Sequence, residues 1–167
     1  MTREIEAIVE EEDVSRFLGA VIAVTRPTNP SQPIPHEIVD GQQRLITMYL
    51  FLLAAAQVAA REGKTDYARG LISTNLMVDW AQDLPSNTKL QPSIGDRGQF
   101  AEIFKKVSQA GELSDWLPIK ARLPHSEGNA DGPLLRQFNR IHKHMLRKVN
   151  ESSFEELERL WKSLEMA

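Results

Sequence analysis

Blocks of apolar and polar residues divide this chain into a short extended region followed by a longer helical one. Residues 16 to 24, R-F-L-G-A-V-I-A-V, form a nearly continuous apolar run with charge before it and a proline soon after, which predicts a buried strand. The segment T-R-P-T-N-P-S-Q-P-I-P carries four prolines, which exclude a helix or a central strand and predict a loop of roughly ten residues. I-P-H-E-I-V-D predicts a second short strand, and the two pair most simply as an antiparallel hairpin. From Arg44 the period changes. Leu45, Met48, Tyr49, Leu52, Leu53 and Ala56 follow helical spacing and predict a central helix to about Glu62, stopped by Gly63.

Further helices are predicted over residues 3 to 12, from Asp66 to about Asp83, and after Asp96, which is a suitable N-cap. Between the last two lies a short extended piece, T-K-L-Q-P-S. Residues 110 to 133 read as mostly loop. Pro133 suits the first turn of a helix running to about Val149. Ser153 and Glu156 form a capping-box pattern before an amphipathic stretch with Phe154, Leu157, Leu160, Trp161 and Leu164. The expected fold class is α+β, a small N-terminal hairpin packed on a mostly helical body. A single domain is expected over 1–167, with a strand–turn–helix part at 1–62 and a helical part at 63–167. The sequence stops at S-L-E-M-A within an amphipathic pattern. A truncated domain, a partner chain, or a homodimer through this C-terminal helix is therefore expected.

Composition narrows the chemistry. The chain has no cysteine, which removes disulfides and thiolate chemistry and fits a cytoplasmic location. A net charge of −3 does not by itself advertise a nucleic-acid binder. The acidic N-terminus is unlike a signal peptide. The apolar stretch Leu45 to Ala60, interrupted by Thr47 and Gln57, falls short of the roughly 20 residues of a membrane span, so no membrane association is expected.

The candidate chemistry sits where strand becomes helix, in H-E-I-V-D-G-Q-Q-R-L-I-T-M at residues 36 to 48. Gly41 supplies a tight turn after Asp40. Gln42, Gln43 and Arg44 then open the helix, where unpaired N–H groups and the helix dipole attract an anion, phosphate above all. Arg44 adds a fork of donors, and Asp40 could hold magnesium or orient a water. The alternative is structural: Asp40 caps the helix and Arg44 pairs with it. A lone D-G-x-x-R has neither a glycine-rich cradle nor a Walker lysine.

D-G-Q-Q-R-L-I-T resembles the hallmark of the N-terminal domain of GmrSD-type restriction endonucleases, a branch of the ParB/sulfiredoxin-like superfamily. F-L-G-A-V-I-A-V and T-K-L-Q-P-S-I-G-D-R-G-Q-F resemble two further stretches of that family, so the likeness covers residues 17 to about 104. The resemblance implies nucleotide binding and hydrolysis coupled to DNA cleavage in bacterial phage defence. The implied cofactors are Mg2+ and a nucleoside triphosphate. By the same resemblance Asp40, Gln42, Gln43 and Arg44 are candidate catalytic residues. Gly41, Gln42, Gln43, Arg44 and Thr47 are candidate phosphate-binding residues, with Asp40 the metal ligand. The family's usual upstream glutamine-arginine segment and its C-terminal H-N-H nuclease domain have no counterpart in this sequence. A fragment, a remnant or one half of a split system with a nuclease domain or partner chain is expected.

One other segment carries candidate chemistry. Residues 134 to 150 contain no acid, and Arg136, Arg140, Lys143 and Arg147 share one face at helical spacing as candidate DNA contacts. The favoured alternative is a solvated face balanced by Glu151, Glu155 and Glu156. Histidine spacing argues against a zinc site, and Trp80, Trp116 and Trp161 read as core or interface aromatics. Two functions thus stand: a nucleotide-binding or hydrolysing module of a DNA-targeting system, or a non-catalytic interaction or DNA-binding domain in which D-G-Q-Q-R is a structural turn.

Overall fold

The computed structural model describes residues 19–25, 27, 36–77, 88–110, 113 and 132–151. Strands β1 (Ile22–Thr25) and β2 (His36–Asp40) pair antiparallel, as the hairpin pattern predicts. Ile22 pairs with Asp40 and Ala23 with Ile38, so Val39 is an extra residue that bulges β2 just before the turn. The hairpin is not buried, contrary to the apolar run. Val21, Ile22, Val24 and Val39 are 42 to 62 % exposed. Among the described residues no second layer covers the valines of this two-stranded ribbon, so β-branching sets the extended backbone while burial does not follow.

Helix α1 (Gln42–Arg61) is the axis of the body. It begins two residues before the predicted start and closes in a Schellman motif, Lys64 N–H donating to Ala59 and Gly63 N–H to Ala60. From Leu53 to Ala60 every residue is buried, because alanines at 54, 55, 56, 59 and 60 let neighbouring helices approach on all sides. By length and composition α1 could cross a membrane, but 72 % of its most apolar window is buried inside the protein.

Around it pack α2 (Thr65–Leu71), which runs into a wider π turn at Ile72–Leu76, then α3 (Arg97–Ser108) and α4 (Pro133–Glu151). The second predicted helix is thus seen as far as Leu76, with its expected end at Asp83 outside the described residues. So are the helices predicted at 3 to 12 and after Ser153, the three tryptophans, and Glu155 and Glu156.

Aromatic rings bind α1 to α3. Tyr49, Phe100 and Phe104 form a cluster with ring centres 5.2 to 6.4 Å apart. The Tyr49 hydroxyl donates to the Leu76 carbonyl at 2.7 Å, and burial pushes its phenol up, so it remains a protonated donor. Leu76 also accepts the Lys89 N–H, beside an isolated bridge between Met77 and Thr88. That bridge is all the β-pairing seen in the extended piece predicted at T-K-L-Q-P-S.

Asp96 does not cap α3 through its side chain. A single 3₁₀ turn, Ile94–Asp96, leads into the helix, so Asp96 already has helical backbone angles. Its carboxylate instead accepts from Ser93 Oγ at 2.7 Å and from Gln99 Nε2 at 3.4 Å. The other end of the Gln99 amide caps α4, Oε1 accepting from Leu134 N–H at 2.8 Å and Leu135 N–H at 3.4 Å. Gly132 lies flat on this amide, where any Cβ would collide. One buried glutamine therefore fixes where α4 begins against α3. Gln99→Leu leaves those two N–H groups without partners and should destabilise the protein by about 1–3 kcal/mol, read as a lower urea midpoint with unchanged m-value.

Candidate functional site

Two features need explaining at the strand–helix junction: how the backbone turns, and what its polar groups contact. Gly41 lies at φ 87° and ψ 7°, in the left-handed region, with no side-chain cap and no acidic residue in the first turn of α1. It is also packed. A Cβ there would press on Val21 and on the Ala20 carbonyl at 3.0 to 3.2 Å. Gly19, at φ 98°, is the second left-handed glycine of the site, and a Cβ there would run into the Arg44 guanidinium unless that side chain moved.

Arg44 joins the two turns. Its Nη2 donates to the Ala20 carbonyl and lies 3.4 Å from an Asp40 carboxylate oxygen. Its Nε is buried without a hydrogen-bond partner. The Gln42 amide reaches back across the bulge and donates to the Ile38 carbonyl at 2.7 Å. Both side chains therefore brace the turn. Asp40, with its side chain 66 % exposed, and Gln43, whose side chain is exposed, face solvent beside the first turn.

Asp40, Gly41, Gln42, Gln43 and Arg44 are thus gathered at one exposed helix start. Thr47 points elsewhere. It is 5 % exposed; its hydroxyl donates to the Gln43 carbonyl at 2.7 Å and accepts from Gln137 Nε2 at 2.9 Å. It joins α1 to α4 instead of facing the opening. His36 hydrogen-bonds Thr25 across the far end of the hairpin. Sequence reasoning missed the seat that Gly19 and Ala20 make for Arg44. The signal was the F-L-G triplet, in which a glycine within a strand-like run marks a close backbone approach.

Among the described residues no group of three or more His, Asp or Glu side chains converges. Asp40 would hold magnesium only as one oxygen ligand completed by phosphate oxygens and water, the usual manner for that ion.

On α4, Arg136, Arg140, Lys143 and Arg147 are all exposed. His142, on another side of the helix, stacks on Phe138 with ring centres 6.0 Å apart. Its Nε2 is buried without a partner. Burial first, then the charges of Arg61 and Lys106, lower its pKa to about 4.

No protein-family model, curated protein or solved structure matches this chain. The site must be argued from its own geometry.

Two outcomes follow. Gly41→Ala forces a side chain into left-handed backbone and against Val21, so it should cost at least about 1–2 kcal/mol in urea unfolding. For His142 the folded pKa lies below the unfolded value, so the unfolded chain binds the extra proton between about pH 4 and 6.5. Its contribution to stability should be full above pH 6.5 and lost progressively down to about pH 4. The urea midpoint of His142→Phe should fall less over that window than that of the parent.

Proposed function

We propose that this chain is a nucleotide-binding module of a DNA-targeting restriction or phage-defence system, of the GmrSD type that its D-G-Q-Q-R turn resembles. The observation that supports this reading is the start of α1. Its first turn has no side-chain cap and no acid, and the exposed Asp40 and Gln43 flank it. A phosphate placed there accepts backbone N–H bonds in the positive field of the helix dipole. Mg2+ would supply charge neutralisation between phosphate oxygens and the Asp40 carboxylate. The Gln43 side chain, a donor and acceptor at the rim, would orient a water for hydrolysis. Gln42 would join it once its bond to Ile38 is released. Arg44 holds Asp40 and the turn in place and contributes positive charge close behind the phosphate.

A second reading has its own support: a non-catalytic interaction domain in which the turn is structural. The Arg44 guanidinium is bonded to Ala20 and packed on Gly19, as a purely architectural arginine would be.

Calorimetric titration of the full chain with GTP and ATP, with and without magnesium, separates the two. The nucleotide reading expects magnesium-dependent binding that Asp40→Asn and Gln43→Ala weaken at least about tenfold, a difference of about 1.4 kcal/mol. Arg44→Ala is expected to lose binding too, but it also removes the brace, so its fold must be verified by circular dichroism. Absence of heat with both nucleotides would sink the nucleotide reading in favour of the architectural one.

A further inference from the structure

Helix α4 uses one side to reach the core and leaves the other uniformly basic. Leu134, Phe138, Ile141 and Met145 are buried against the body. Arg136, Arg140, Lys143 and Arg147 are spaced four, three and four residues apart and all exposed. This makes a straight row about 16 Å long at the helical rise of 1.5 Å per residue. The only acid in the nineteen residues of α4 is Glu151, at its last position. Among the described residues Arg136, Arg140 and Lys143 have no carboxylate partner.

The neighbouring α3 extends the same sign. Lys106 of α3 donates through Nζ to Asn139 Oδ1 at 3.2 Å, which brings its charge against the edge of the row. Helix α3 therefore contributes one further cation along the edge of the row. In a chain of net charge −3 this is a local concentration of charge that global composition hides.

We infer that the exposed row of α4, flanked by Lys106, binds the phosphate backbone of a nucleic-acid duplex. Phosphates recur on each strand of a duplex at an axial rise of about 3.4 Å per nucleotide, so a row of this length meets several of them. Three of its four cations are arginines, whose planar forks match phosphate oxygens. A membrane surface suits it less, because an interfacial helix buries an apolar face in lipid and the apolar face of α4 is already committed to the core. The contact is to the backbone and independent of the nucleotide site at α1.

The test is fluorescence anisotropy of a labelled 20-base-pair duplex with the full chain, between about 50 and 200 mM salt. Three phosphate contacts, from Arg136, Arg140 and Lys143, predict a slope of log K against log salt of about −2.7, an affinity loss of roughly 40-fold over that range. Arg140→Gln should lower the magnitude of the slope by about one unit for every sequence tested. The double substitution Arg140→Glu with Lys143→Glu should reduce affinity at least tenfold with an unchanged circular dichroism spectrum; all the substituted side chains are exposed. Arg69→Gln on α2 should leave duplex binding as it is. The inference is overturned by no binding at the lowest salt, by binding that the double substitution leaves unchanged, or by capture of anionic phosphatidylserine vesicles in place of duplex.

Discussion

The described helices of this protein are arranged around the burial of the second half of α1 on all sides. A helix with a single apolar stripe needs a single partner layer. One whose second half is alanine, leucine and valine around its whole circumference must be enclosed. The alanines bring α2, α3 and α4 close, and the larger side chains of those helices fill the space between. Gln57 shows the strength of the constraint. It is buried along the same helix, with its Nε2 donating to the Lys106 carbonyl at 2.9 Å while its Oε1 finds no partner. Enclosure of the helix outweighs one unmet acceptor.

That enclosure gives the first turn of α1 a fixed position. The buried half of the helix anchors it, Thr47 ties its second turn to α4, and Arg44 ties its first turn to the Ala20 carbonyl just ahead of β1. The hairpin contributes little burial of its own and is held through the Arg44 brace and the backbone of Gly41. A loosely covered ribbon is thus oriented by one polar side chain working between two glycines. The exposed groups at the helix start, Asp40 and Gln43, inherit the rigidity of the body behind them. Preorganisation of this kind is what an anion site built from backbone donors needs.

Much of the fold was legible because periodicity reports burial. The hairpin, the central helix with its stop at Gly63, and the helix opened by Pro133 follow directly from spacing and punctuation. The errors share a cause as well. Valine and isoleucine in β1 were read as buried, yet periodicity cannot say whether a second layer exists to cover a strand. Asp96 does stand at the N-cap position that its residue type predicts, but the preceding 3₁₀ turn gives it helical angles and its side chain makes no cap bond. The junction motif was legible as a cluster from sequence contiguity alone. The separate uses of its members were not. Arg44, Gln42 and Thr47 turn to partners at positions 20, 38 and 137, and such tertiary choices leave no local trace.

The packing of Gly19 on Arg44 has a consequence for how this sequence can drift. The two positions are 25 apart, but they occupy one volume. A side chain at position 19 meets two obstacles, the left-handed backbone and the guanidinium at position 44, and only the second depends on Arg44. Substitutions at the two sites therefore do not add.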